Sequence, residues 1–345
     1  MPTYPYRMKK IVLLWGLLLA NSLFLSCNNA NGTKADAPKP VTKTVVKARV
    51  KATVFDTLDY SQRMKALLNA DTTKRWQLKT PYPLKGALLP YNRIIAFYGN
   101  LYSKRMGILG ELPKDEMLQK LQEEVAAWKA ADPSVETIPA LHYIAVSAQS
   151  KPGKANQYRL RMPFHQIDTV LAWAKTINAV VFLDVQIGQG SIKEEVSQLV
   201  PYLQLPNVHL GIDPEFAMKD GRVPGTKIGT LSASEINDAI DILTQVVREN
   251  HLAPKVLIVH RFTRAMVTDY SHIKTCPEVQ IVMDMDGFGS KALKRATWMN
   301  TIHREPVQFT GFKLFYKNDN ADSNTMYTPA KLLQYQPRPI YIQYQ

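Results

Sequence analysis

Eight short β-branched or aromatic runs recur along the chain from Arg93 to its last residue, and helical or loop segments separate them. The runs are Arg93–Asn100, Ile138–Ser147, Ala179–Ile187, Val208–Phe216, Lys255–Phe262, Val279–Asp286, Phe309–Tyr316 and Pro339–Tyr344. Strand–helix alternation repeated eight times predicts an α/β fold of the (β/α)8 class, a TIM barrel. The span from Arg93 to Gln345 is close to the roughly 250 residues typical of such barrels. Chemistry on this architecture sits where the strands end. Here those ends read Leu183-Asp-Val-Gln186, Ile212-Asp-Pro-Glu-Phe216 and Met283-Asp-Met-Asp-Gly287.

Side chains alternate along a strand, so parity decides which residues face together. Asp184 and Gln186 share a side with Phe182, Asp213 and Glu215 with Gly211, and Asp284 and Asp286 with Val282. If those sides face the barrel axis, five carboxylates meet at one mouth. His260, near the end of the fifth run, joins them. Lys313 lies in the apolar setting Phe312-Lys-Leu-Phe-Tyr316, which marks it as a charge partner. Like charges cluster at a cost unless they are hydrogen-bonded, protonated or metal-bound. Such a floor therefore points to chemistry rather than packing.

Paired carboxylates suit glycoside hydrolysis, in which an acid of raised pKa protonates the leaving oxygen and a second acts as nucleophile or base. Glu215 is the expected proton donor and Asp213 its tuning neighbour. Asp184, Asp284 and Asp286 would position the sugar, the water or the reacting ring. Tyr98, Gln186, Phe216, His260, Lys313 and Tyr316 are the expected substrate-binding residues, with the aromatics stacking on sugar faces. No cofactor and no metal are expected. Two other readings stay open. One is a non-catalytic barrel that binds a glycan or envelope component. The other is a metal-dependent hydrolase using the carboxylates and His260, although the first run lacks a His-x-His and no P-loop occurs.

The outer helices are legible from 3.6-residue periodicity. Leu118, Leu121, Val125 and Trp128 mark the first, and Ile236, Ala239, Ile240, Leu243, Val246 and Val247 the fourth. Ser232-Ala-Ser-Glu235 is a capping-box pattern ahead of the fourth. Weaker helices are expected at about 264–273, 291–302 and 329–333. A helix near 59–69, within an extension of residues 55–92, is expected to plug the barrel bottom or to replace the missing eighth outer helix. Basic residues decorate the long loops: Lys151, Lys154, Arg159 and Arg161 after the second run, and Lys219, Arg222 and Lys227 after the fourth.

The first segment reads as an export signal. Arg7, Lys9 and Lys10 precede the apolar run Ile11–Leu25, which stops at Ser26-Cys27. This is a secretory pattern, too short for a permanent membrane helix. Residues 27–54 carry six basic residues against Asp36 alone and read as a disordered basic tether. The formal net charge of +14 falls to 14 − 3 = +11 once the three basic residues of residues 1–26 are removed. Export and the lack of any nucleic-acid-binding motif argue against a nucleic-acid partner. The chain holds only two cysteines, Cys27 and Cys276. Cys276 has no motif around it and is expected to pack.

Leu23-Phe-Leu-Ser-Cys27 is similar to the lipobox of bacterial lipoproteins. That resemblance implies cleavage before Cys27, a lipid on its sulfur and a membrane-anchored protein of the bacterial cell envelope, periplasmic or surface-exposed. A monomer is expected. The motifs at 182–188, 208–216, 228–237, 256–260 and 283–289 resemble an uncharacterised family of exported bacterial lipoproteins with a glycosidase-like barrel. A second similarity is to chitinase-like glycosidases, through Asp213-Pro-Glu215 and Met283-Asp-Met-Asp286. Met285 stands where that family places a tyrosine, and Leu210-Gly-Ile212 where it places further acids.

Overall fold

The computed structural model describes residues 55–320 and 326–345. Eight parallel strands close into a barrel: β1 (Asn92–Gly99), β2 (Glu136–Ala148), β3 (Val180–Val185), β4 (Val208–Ile212), β5 (Lys255–Arg261), β6 (Val279–Met285), β7 (Phe309–Leu314) and β8 (Tyr341–Tyr344). Each strand pairs in parallel with its sequence neighbour, and β1 pairs with both β2 and β8, which closes the ring. All eight expected runs are strands of this barrel. The signal and tether, including Cys27, lie outside the described residues. No helix among the described residues is long and apolar enough to cross a membrane.

Two apolar layers explain the closure. Ile94, Ala96, Ala140, Phe182, Val256, Ile258, Val282 and Phe309 fill the lower interior. The opposite faces of the same strands meet the helices, with Leu141, Leu183, Leu210, Leu257, Ile281 and Leu314 among the buried contacts. Strands buried on both faces read as near-continuous apolar runs, which is why the sequence shows runs rather than alternation.

The helical ring follows the periodicity in its first half. It comprises α2 (Lys114–Ala131), α3 (Phe164–Thr176), α4 (Ile192–Leu203) and α5 (Ala233–Asn250). Helix α5 buries Ile236, Ile240, Leu243, Val246 and Val247. Each such side chain contributes roughly 1.5–3 kcal/mol on burial. The predicted capping box closes its start, with Ser232 and Glu235 bonding each other's backbone. The second half departs from expectation. No helix forms over 264–273; two 3-10 turns, Arg264–Met266 and Tyr270–His272, stand there instead. Asp269 between them adopts φ 55°, which a continuing helix does not allow. Helix α6 (Lys291–Thr297) runs on into a π-helical turn, Trp298–Ile302. Pro329–Leu332 forms a single turn.

Helix α1 (Thr57–Leu68) stoppers the N-terminal end of the barrel. Asp56 caps its start by accepting the backbone N–H groups of Leu58 and Asp59. Met64 and Leu67 pack on the interior apolar layer. Asn69 ends the helix in the left-handed conformation and donates to the carbonyls of Leu333 and Tyr335 at 3.2 and 2.9 Å. Leu89 completes the stopper, its backbone N–H and C=O held by the Gln280 amide at 3.0 and 2.6 Å.

Candidate active site at the C-terminal mouth

The strand register sets a polar layer above the apolar one. Asp184 pairs across from Gly211, His260 from Asp284, Asp284 from Gly311, and Lys313 from Gln343. Two of these positions are glycine for a steric reason. A Cβ at Gly211 would lie 2.4 Å from both Asp184 Oδ1 and His142 Nε2, and one at Gly311 would lie 2.5 Å from Asp284 Oδ1. Both glycines thus give their side-chain space to the polar groups beside them.

His260 lies at the middle of the acids. Its Nε2 is 3.2 Å from Asp184 Oδ1, and its Nδ1 is 3.1 Å from Asp286 Oδ2 and 3.4 Å from Asp284 Oδ2. These are ion-pair distances at angles that give neither ring nitrogen a directed hydrogen bond. Asp184 is tied further. Tyr98 donates its hydroxyl to Oδ2 at 3.0 Å, and His142 Nε2 meets Oδ1 at 3.1 Å. Gln186 donates to the Tyr98 oxygen at 3.3 Å and is itself fixed by the Ala148 backbone N–H at 3.1 Å. Lys313 pairs with Asp286 at 3.0 Å and sits 4.1 Å from the centre of the Tyr98 ring. Asp284 has neither carboxylate oxygen in a hydrogen bond although it is fully buried.

The acids are pushed apart in acidity. Burial alone would raise Asp184, but the His260 charge and the His142 hydrogen bond hold it well below the usual carboxylate range. Asp286 is lowered because Lys313 and His260 outweigh its burial. Asp284 is raised, chiefly by burial. Burial together with the charge of Asp184 lifts Asp213 to about 7. Burial, then the charges of Asp213 and Asp286, lifts Glu215 to about 8. Among the histidines, burial drives His142 down to about 4, while the acids around His260 raise it well above the ordinary imidazole value.

Glu215 reaches the mouth by a different route from the strand parity. Strand β4 ends at Ile212, and Pro214–Phe216 form a 3-10 turn capped by Asp213. Pro214 cannot donate to a strand ladder, so the run stops before it. Asp213 Oδ1 accepts the Glu215 backbone N–H at 3.0 Å, and the Glu215 carbonyl accepts that of Gly229 at 2.6 Å. The turn leaves Glu215 half-buried, whereas Asp184 and Asp284 are fully buried.

One expected binding residue, Tyr316, lies elsewhere, while Phe216 shares the turn of Glu215. Tyr316 turns toward the helical layer: it donates to Glu124 at 2.7 Å and stacks on Tyr344. Phe216 closes the 3-10 turn, half-buried. The basic loops are also largely engaged in internal pairs. Arg159 and Arg161 both bind Glu194 and Glu195, Lys219 pairs with Glu235, and Arg222 pairs with Asp220. Cys276 packs 3.4 Å from the Thr244 hydroxyl.

Three residues of the network escaped the sequence reading. His142 Nδ1 meets the Tyr341 hydroxyl at 2.6 Å and Gln343 Nε2 at 3.0 Å, and Gln343 donates to Tyr341 at 2.8 Å. The available signal was a lone histidine inside the apolar run Leu141-His-Tyr-Ile-Ala-Val146. Register aligns His142 with Tyr98, already an expected site residue.

No family model matches the chain, and no curated protein matches it. Among solved structures it is similar to a hyperthermophilic endo-β-1,4-glucanase in complex with substrate, at a TM-score of 0.33 and 7% sequence identity, over 60% of this chain and 77% of that chain.

Proposed function

We propose that this barrel is a glycoside hydrolase in which Glu215 protonates the departing oxygen. The observation that carries the reading is the placement of Glu215 alone at the solvent edge of a buried carboxylate cluster, on a turn fixed by Asp213. A proton donor must meet a substrate and hold its proton near neutral pH. Half-burial meets the first requirement, and the raised pKa meets the second. Asp213, next to it, supplies the negative charge that keeps it protonated, and Asp286 with Lys313 offers an ionised partner below. Exposed Phe288, packed edge-on against Phe315, adds an aromatic face that a sugar ring can stack on.

The full burial of Asp184 and Asp284 favours a second reading, a barrel that holds a glycan at its rim without cleaving it. Turnover separates the two. Wild type and Glu215→Gln are assayed on a panel of envelope and plant polysaccharides for release of reducing ends. The hydrolase reading expects wild-type turnover that falls about a hundredfold or more in the variant. Binding of a glycan with no turnover by either protein supports the rim-binding reading.

Membrane anchoring is part of the same proposal and rests on Ser26-Cys27 at the end of the apolar run. In a bacterial host, Cys27→Ala should abolish incorporation of labelled fatty acid. Unchanged labelling contradicts the anchor.

A further inference from the structure

We infer that His142, Asp184 and His260 form a binding site for a divalent transition-metal cation of the zinc class. Their ligand atoms all lie within 4.8 Å of one another on three fully buried side chains. Asp184 Oδ1 is 3.1 Å from His142 Nε2 and 3.2 Å from His260 Nε2. A zinc ion with bonds of roughly 2.0–2.2 Å holds neighbouring tetrahedral donors about 3.3–3.5 Å apart, a spacing that the two Asp184 pairs nearly match. Two imidazoles and one carboxylate are a donor set for zinc and its neighbours rather than for magnesium or calcium.

Independent features of the surroundings point the same way. His260 Nε2, the ring nitrogen that would face the metal, has no directed hydrogen bond, and Gln343 Oε1 is likewise without one. Buried polar atoms without partners are costly and mark a missing ligand or a different protonation. Each candidate ligand also has its remaining polar atom oriented by another barrel residue. His142 Nδ1 meets Tyr341 and Gln343, Asp184 Oδ2 accepts from Tyr98, and His260 Nδ1 faces Asp286 and Asp284. Such outer contacts set ring orientation and tautomer at metal sites. A turned Gln343 amide would offer its orphan oxygen to His142 Nδ1–H, freeing Nε2 for the metal. Gly211 keeps the flank of His142 and Asp184 clear, since any Cβ there would press on both ligand atoms.

The inference does not depend on the hydrolase reading, because metal content is measured without substrate. The full chain is stripped with chelator, dialysed against Zn2+ and analysed by elemental mass spectrometry; a parallel sample takes Co2+ for its visible spectrum. The expected result is one Zn2+ per chain and a Co2+ spectrum of low coordination number with nitrogen and oxygen ligands. His260→Gln should lose at least a hundredfold in affinity, and Tyr341→Phe should lose about 10–100-fold as an outer-contact change. If His260→Gln does not fold, wild-type stoichiometry, the Co2+ spectrum and Tyr341→Phe decide. Wild-type protein without stoichiometric metal, or equal affinity in the variants, overturns the site. Glu215→Gln should bind metal as wild type does, whatever its effect on glycan turnover.

Discussion

Asp213 holds Glu215 twice over: its Oδ1 accepts the Glu215 backbone N–H at 3.0 Å, and its charge helps keep the Glu215 carboxyl protonated. The two effects separate by substitution. Asp213→Asn keeps an acceptor and removes the charge, so the alkaline limb of the rate profile should move to lower pH while the cap is retained. Asp213→Ala removes both, and loss of the cap should add about 0.5–2 kcal/mol of destabilisation. Urea unfolding alongside pH–rate profiles checks the pair. Equal stability of the two variants contradicts the capping role.

The acidity of Glu215 fixes the direction of the pH dependence. Burial first, then Asp213 and Asp286, raise its pKa to about 8. A general acid works when protonated, so kcat/KM should hold toward neutrality and fall as pH rises through about 8. The profile of kcat/KM against pH reports this group in the free enzyme. A rate that climbs through pH 8 contradicts Glu215 as the donor.

Gly211→Ala should damage the site without touching any polar residue. The new methyl would meet Asp184 Oδ1 and His142 Nε2 at 2.4 Å, and the strand backbone has little freedom to yield. Overpacking of this kind costs about 1–3 kcal/mol. Gly311→Ala, pressing on Asp284 Oδ1 and Tyr341, should cost a similar amount. Stability within about 0.5 kcal/mol of wild type for both, by urea unfolding, would show that the layer is not close-packed.

Lys255 provides a stability test away from the mouth. Its ammonium is buried and bonds the carbonyls of Leu205 and Val208 at 2.6 and 2.8 Å. Desolvation lowers it from the ordinary 10.5 to about 7. Between those values the unfolded chain carries the proton and the folded chain does not, so stability rises with pH across that window. The slope from one such group is at most about 1.4 kcal/mol per pH unit. Lys255→Met should remove it, so the stability of wild type relative to the variant should grow from pH 7 to 10. A constant difference contradicts the shift.

The strands were legible because buried barrel strands are written as apolar runs, and the acids stood out where those runs ended. Parity placed Asp184, Asp284 and Asp286 correctly on the inner faces, since β3 and β6 remain regular through or just before them. It failed in its reasoning for Glu215, where Pro214 ends the strand and a 3-10 turn presents the side chain. His142 and Gln343 were hidden because single polar residues inside apolar runs carry no motif; only cross-strand register brings them together. Tyr316 shows the converse, a strand-end aromatic that turned to the helices. The weak fifth helix was misread because scattered apolar residues at 264–273 serve two short turns equally well.

The central claim is proton donation by Glu215, and leaving-group dependence tests it most directly. Wild type and Glu215→Gln are compared on aryl glycosides whose phenols range from basic to strongly acidic, with the sugar held constant. A strongly acidic phenol departs without a proton. The variant should therefore lose about a hundredfold or more on basic leaving groups and retain near wild-type rates of bond cleavage on the most acidic one. A uniform loss across the whole series, independent of leaving-group acidity, would contradict a proton-donor role for Glu215.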